Sequence, residues 1–493
     1  MMPPVADRFT QVCRERLRHP AVVQDDLTLT YQDLSRWADA VALALECAGG
    51  VAGRGVAVLL PNSGAFVAAF MGAARAGGVV APLSPRYRPH ELGQYLADIE
   101  PLAIVVGPET IDPVREALAT SERRRPALVS VDVPGEAELL EQGDSSGGSA
   151  FTGGDPPLLL LYTSGSTEAP KRVLRSHRQV ALEVEALHRL FDVTPSDRVL
   201  GAAPFSHVNG LVRSFLTGTL AGATLYPLPR FGRRQVPEMI SRERLTVFGG
   251  VPPMFVALSG LVPRQPADLS SLRVLFSASA PLLPSDASRF HARYGLWIRQ
   301  LYGSTETGTI TYNDHLRIEA HLETVGRPIP GVSLTVADEH GAPVPLGREG
   351  EIVVSSPFGA SGYDGNAEAT KERFPAGTYL TGDLGRIDGE EYLTLTGRKG
   401  WLINRRGYKV NPHEVEEVVR RHPGVAEATV AGEPGPHGDE IIRCIVVARA
   451  LLTVEEIARH CRERLADFKV PNRIELRDRL PRTATGKIRR ADL

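Results

Sequence analysis

The stretch Leu161-Tyr162-Thr163-Ser164-Gly165-Ser166-Thr167-Glu168-Ala169-Pro170-Lys171 decides how the rest of this chain is read. An apolar run over 158–161 breaks into small hydroxyl residues, then a proline, then a lysine. A strand opening into such a loop turns backbone N–H groups and hydroxyls toward one point. Such a stretch reads as a cradle for phosphate, to which the lysine adds a mobile positive charge, or else as a polar surface loop. The spacing of Gly, Lys and Ser/Thr is not that of a Walker A loop.

Working outward, the chain has 493 residues, 42% hydrophobic and 23% charged, an ordinary globular composition long enough for more than one domain. A formal net charge of −2 gives no bulk field for nucleic acid or an anionic membrane. Four cysteines, Cys13, Cys47, Cys444 and Cys461, are scattered without metal-ligand spacing. This fits a reducing cytoplasm rather than a disulfide framework. Asp7 and Arg8 precede any apolar run and argue against a secretory leader. The apolar stretch 249–262 is broken by Pro252 and Pro253. It is shorter than the roughly 20 residues a spanning helix needs.

The first part of the chain alternates short apolar strands with amphipathic helices. Strands are predicted at 55–60, 79–82, 103–106, 198–202, 223–226, 247–249 and 274–277, and helices at 63–76 and 176–190. Such alternation predicts α/β layers with largely parallel sheets. Residues 141–157, rich in Gly, Ser and Asp, read as a mobile loop. From about Gly326 short alternating runs at 333–338, 351–355 and 392–396 predict an antiparallel β subdomain. After Gly397-Arg398 a compact α+β unit follows, with helices at 412–421 and 454–465 and strands at 426–431 and 441–448. The expected organisation is a large N-terminal domain, residues 1–397, of layered α/β subdomains plus a β subdomain. A small mobile α+β domain follows at 398–493.

Further blocks stand out. Gln300-Leu301-Tyr302-Gly303-Ser304-Thr305-Glu306-Thr307-Gly308 sets a carboxylate among hydroxyls, Thr381-Gly382-Asp383 follows Tyr379, and Arg482-Thr483-Ala484-Thr485-Gly486-Lys487 lies near the end. In this order and at these distances, the blocks closely resemble the adenylate-forming superfamily, which holds acyl- and aryl-CoA synthetases, stand-alone adenylation enzymes and luciferases. The resemblance runs from about Tyr31 to Lys487.

It implies two steps. A carboxylate attacks the α-phosphate of ATP, giving an acyl-adenylate and pyrophosphate; a thiol then takes the acyl group and releases AMP. Anion must meet anion, so charge has to be neutralised, the reactants aligned and water excluded. By motif position, Thr163, Ser164, Gly165, Ser166, Thr167 and Lys171 would hold the β- and γ-phosphates. Glu306 would bind Mg²⁺, a hard oxygen for a hard cation, and Thr305 the α-phosphate. Tyr302 and Gly303, with the backbone of Ser279, Ala280 and Pro281, would flank the adenine. Asp383 and Arg398 would hold the ribose, and Lys487 would bridge the substrate carboxylate and the α-phosphate. His207, in Pro204-Phe205-Ser206-His207-Val208-Asn209-Gly210, would line the acyl pocket and its junction with the thiol tunnel. Val208, Gly249, Gly250, Val251, Ser277, Ala278 and Ser304 would form further walls, suiting an aryl or modest acyl group rather than a charged one. Arg213 reads equally as a contact for a polar substituent or a solvated helix face. Gly407, Tyr408 and Lys409 would line the thiol tunnel after the C-terminal domain turns about Gly400.

The loop departs from the family where Glu168 stands in place of Gly. A carboxylate about 4 Å from a phosphate costs on the order of 4 kcal/mol at an effective dielectric near 20. Glu168 is therefore expected to point away or to pair with Arg172. Arg405 and Arg406 read equally as contacts for CoA phosphates or acidic residues of a carrier, and as a solvated basic turn. The resemblance thus implies an ATP- and Mg²⁺-dependent acid–thiol ligase that uses coenzyme A, with two alternatives. One is a stand-alone enzyme loading a carrier protein's phosphopantetheine. The other is a non-catalytic nucleotide or acyl-AMP sensor.

Overall fold

The computed structural model describes residues 3–119, 125–144, 151, 155–163, 170–261, 267–399, 401, 403–405, 408–434, 440–449, 451–482 and 488. Two large sheets dominate. One runs Glu138–Glu141, Ala127–Ser130, Ala103–Val106, Gly55–Leu59, Val79–Pro82, Pro157–Tyr162 and Arg172–Ser176. Its five inner strands are parallel and the two edges antiparallel. Gly55–Leu59 is buried at every position, as expected for a strand covered on both faces. The second sheet has nine strands, and Val274–Ser277, Val247–Gly250, Arg198–Gly201 and Thr224–Pro227 form its parallel centre.

The main core lies between the sheets. It joins Val56 and Val58 of one to Val199, Leu225 and Val274 of the other through the helices Gly64–Arg75 and His177–Phe191. Both helices start where the sequence predicts. Ser63 accepts the N–H of Phe66, and Ser176 with Gln179 forms a reciprocal capping box. Separate apolar layers cover the outer faces of the two sheets. The fold is therefore layered α/β, as expected.

Residues 333–398 form a four-stranded antiparallel sheet: Ser333–Ala337, Gly350–Ser355, Tyr379–Ile387 and Leu393–Arg398. Farther on, Val425–Pro434, Glu440–Ala448 and Arg473–Leu476 make a three-stranded sheet covered by the helices Pro412–Arg420 and Val454–Arg462. These elements have their own core.

Of the stretch 141–157, expected to be a mobile loop, residues 145–150 and 152–154 lie outside the described residues. Glu138–Glu141 is an edge strand, and Phe151 is buried, its N–H bound to the carbonyl of Gly53 at 2.8 Å. A single aromatic ring anchors a segment whose composition signals only polarity.

Candidate active site

The parallel strands of the nine-stranded sheet end along one edge, where Arg198–Gly201 has Val247–Gly250 on one side and Thr224–Pro227 on the other. Chain order reverses there, which opens a crevice at the carboxyl ends of the strands. The segments expected to form the acyl pocket and the adenine wall leave the sheet at this edge. After Val274–Ser277 the backbone of Ser279 turns left-handed, φ 73°. That costs a non-glycine residue roughly 1–2 kcal/mol, and such strain gathers where a ligand needs a particular loop shape.

Arg299–Ser304 and Gly308–Tyr312 form a hairpin whose tip carries Thr305 and Glu306. The tip is closed by Ser304 Oγ, which accepts the Thr307 N–H at 3.1 Å and lies 2.9 Å from the Thr307 hydroxyl. Tyr302, on the strand, donates its hydroxyl to Asp383 Oδ2 at 2.7 Å. Burial first, and then the Asp383 charge, push the Tyr302 phenol well above its ordinary pKa, so it remains a donor. Asp383 lies in register opposite Arg398, with Arg398 Nε 3.6 Å from Oδ1. Tyr302, Asp383 and Arg398 thus meet at one corner. An acceptor-only carboxylate at such a corner is the kind of group that accepts from a ribose diol.

Glu306 is buried, and its Oε1 accepts the Tyr363 hydroxyl at 3.0 Å. The Tyr379 hydroxyl lies 3.4 Å from that of Tyr363. Burial, with Glu306 next, raises the pKa of both phenols, so both stay protonated beside the carboxylate. Glu306 is a buried carboxylate backed by two phenols, and a hard oxygen held in place this way fits Mg²⁺. The Lys171 ammonium sits 5.3 Å from the centroid of the Tyr363 ring. Tyr363 therefore touches both the lysine of the phosphate loop and the carboxylate of the hairpin tip.

Residues Ser164, Gly165, Ser166, Thr167 and Glu168 lie outside the described residues, but both ends of their loop are defined. The Thr163 N–H donates to Lys171 O at 3.0 Å, and the Lys171 N–H to Thr163 Oγ1 at 3.2 Å. Arg172 is committed elsewhere: Nη2 lies 2.8 Å from Asp364 Oδ2, and Nη1 donates to Asp98 O at 2.8 Å. Its guanidinium ties the loop's base to neighbouring segments.

His207 and Val208 open a short helix, Val208–Gly210, that runs into the π-helix Leu211–Leu216. A π-helical turn often marks a functional site. Asn209 Nδ2 donates to Gly250 O at 3.2 Å, spanning the crevice. Arg213 is 3% exposed; it is a core residue, and the solvated-face reading is corrected. Its Nε donates to Thr309 Oγ1 at 3.0 Å, and Thr309 gives its hydroxyl and its N–H to Glu183 Oε1, each at 2.8 Å. Glu183 in turn pairs with Arg175 at 2.7 Å, both fully buried. A Cβ at Gly303 would lie 2.5 Å from Arg213 Nη2, and one at Gly308 2.6 Å from Glu183 Oε2. The two glycines let the hairpin rest directly on this buried ion cluster.

In the C-terminal unit, Ile403–Arg405 pairs with Tyr408–Val410. This fixes the backbone of Tyr408 and Lys409, whose side chains, like Gly400, Arg406, Gly407 and Lys487, lie outside the described residues. Arg405 Nη1 donates to the carbonyls of Asp467, Phe468 and Val470 at 3.2, 2.9 and 2.8 Å. It clasps a turn of its own unit.

Tyr363 was missed in the sequence. Its place is set by tertiary pairing: Asp364 N–H bonds Arg172 O at 2.9 Å and Tyr363 bridges Val173, so the segment is an extra edge beside Arg172–Ser176.

Residues 9–364 match the AMP-binding enzyme family, and residues 414–487 its C-terminal domain. A feruloyl-CoA synthase of Amycolatopsis sp is 34% identical over 476 residues, 96% of this chain and 95% of that protein. ATP-bound MatB from Rhodopseudomonas palustris superposes with a TM-score of 0.88 at 29% identity, over 100% of this chain and 98% of that one. The o-succinylbenzoate CoA synthetase of Bacillus subtilis in complex with its acyl-adenylate superposes with a TM-score of 0.87 at 25% identity, over 100% and 98%.

Proposed function

This chain belongs to the AMP-binding enzyme family, and on that premise we propose how its residues carry out the family's work. It is an AMP-forming carboxylate–CoA ligase: a carboxylic acid is activated with ATP as an acyl-adenylate and passed to the thiol of coenzyme A. The observation that carries the residue assignment is the convergence of Tyr302, Asp383 and Arg398 through one hydrogen bond and one ion pair, beside the hairpin tip that bears Glu306.

Asp383 and Arg398 hold the ribose, and Tyr302 orients Asp383 while its ring lies along the base. The strained Ser279 turn, with Ala280 and Pro281, presents backbone to the adenine. Lys171 and the loop from Thr163 take the terminal phosphates, and Thr305 donates to the α-phosphate. Glu306 holds Mg²⁺, which neutralises phosphate charge when bound. Lys487 bridges the attacking carboxylate and the α-phosphate. His207 and Val208 guard the acyl pocket formed by Gly249, Gly250, Val251, Ser277, Ala278 and Ser304, whose occupant is an aryl or modest acyl group. The chain divides at Gly397–Arg398. The smaller part turns about Gly400, withdraws Lys487 and brings Gly407, Tyr408 and Lys409 to the thiol tunnel. No helix among the described residues is long and apolar enough to cross a membrane, and we place the enzyme in the cytoplasm, with ATP and coenzyme A.

The test is acid-dependent exchange of labelled pyrophosphate into ATP, followed by thioester formation with CoA. Exchange without acid would contradict the assignment. Exchange followed by transfer only to a carrier's phosphopantetheine would replace the acceptor.

A further inference from the structure

The cluster beneath the hairpin carries an odd charge count. Arg175, Arg213 and Glu183 are 0%, 3% and 0% exposed. The charged groups acting on Arg213 are Glu183, which favours its cation, and Arg175, which opposes it; burial outweighs both and lowers its pKa to about 10. Among the described residues, two guanidiniums thus share one carboxylate, leaving an excess positive charge buried at this cluster. An unpaired buried charge is expensive, and proteins retain one where something else pairs it.

Geometry shows where that partner enters. Arg213 spends Nε on Thr309, but its Nη2 is buried without a hydrogen-bond acceptor and rests against Gly303. Asn209, four residues before it, spends its amide N–H on Gly250 O and leaves Oδ1 buried and unpartnered. The spacing puts both side chains on one face of the helical stretch. That stretch begins at His207 and faces the carboxyl ends of the strands, where the acyl pocket is proposed. A donor carrying the excess charge thus lies one turn beyond Asn209 and against Gly303, next to residues proposed as walls of a pocket whose small side chains would suggest an apolar occupant.

We infer that the acid activated here carries a second anionic group, a carboxylate or sulfonate, which Arg213 binds at the floor of the acyl pocket. This rests on reading the chain as a carboxylate–CoA ligase and names its substrate class. Size follows from the hairpin: Gly303 lies two residues before Thr305, the proposed contact of the reacting centre. The two acidic groups are therefore separated by a short spacer, which fits a small dicarboxylate or a benzoate with a meta acid.

The experiment uses the purified full chain and acid-dependent pyrophosphate exchange with matched pairs: succinate and butyrate, glutarate and valerate, isophthalate and 3-methylbenzoate, 3-sulfopropionate and butyrate. The doubly acidic member is expected to win in kcat/KM by on the order of 10²-fold or more, mostly through KM, because the rival leaves Arg213 unpaired. Arg213→Met is expected to erase or reverse that preference while still exchanging with the mono-acids, and Arg213→Lys to restore part of it. The melting temperature of Arg213→Met should hold or rise, since the excess charge is gone; a purely structural arginine would lower it. Calorimetric binding of glutarate and valerate to the wild-type protein with AMP gives the same comparison should the Met variant fail to fold. A wild-type preference for mono-acids, or a Met variant that loses both members of each pair equally, overturns the inference. No exchange with any acid overturns the ligase reading instead.

Discussion

Asp383 and Tyr363 show how much one side chain can organise. Asp383 lies within a strand, not in the turn its Gly-Asp context suggests, and there it meets both Tyr302 and Arg398. Asp383→Ala is expected to weaken ATP binding about 10- to 100-fold, the worth of charge-assisted hydrogen bonds at ~1.5–3 kcal/mol, measured by equilibrium dialysis. Unchanged affinity would remove Asp383 from the nucleotide site. Tyr363→Phe keeps the ring under Lys171 and deletes the bond to Glu306 together with the contact to the Tyr379 hydroxyl. Such outer partners of a metal ligand are worth 10–100-fold in metal affinity or activity. The variant should therefore need about tenfold more Mg²⁺ for half-maximal adenylation and bind Mn²⁺ more weakly in the presence of ATP by electron paramagnetic resonance. An unshifted metal requirement would show that Glu306 does not depend on the phenol.

At the scale of elements, the hairpin of residues 299–312 is shaped by what lies beneath it. A methyl at position 303 meets the Gly308 carbonyl at 2.2 Å as well as Arg213 Nη2, whereas one at Gly389 meets nothing within 4 Å. Gly303→Ala is expected to cost about 1–3 kcal/mol and to lower the melting temperature. Gly389→Ala should stay within about 0.5 kcal/mol; equal melting temperatures would mean that the hairpin does not rest on the ion cluster. The strands at 79–82, 103–106 and 274–277 and the capped helices were legible in the sequence, because alternation, apolar runs and Ser caps are local signals. The positions of Tyr302, Thr305, Glu306 and Asp383 were legible through motif order. Arg213 was not, because a lone arginine after an apolar stretch looks the same whether it faces solvent or a carboxylate 30 residues earlier in sequence, Glu183. Tyr363 was not, because its role comes from pairing with Val173 across the sheet edge. The anchor at Phe151 was hidden by the Gly- and Ser-rich residues around it.

For the molecule as a whole, the proposed two-step scheme uses Lys487 in one half-reaction and not in the other. Lys487→Ala is expected to reduce acid-dependent pyrophosphate exchange by several orders of magnitude while sparing thioester formation from supplied acyl-adenylate and CoA. Equal losses in both half-reactions would contradict the proposed alternation. The cores of the two parts share no residue: Ile403, Val415, Val430, Cys444 and Ile457 pack among themselves, apart from the layers between and outside the large sheets. Local opening of one need not open the other. Deuterium uptake by backbone amides should then keep two clocks, with the 425–448 strands losing protection at a denaturant concentration that leaves the 55–82 strands dark.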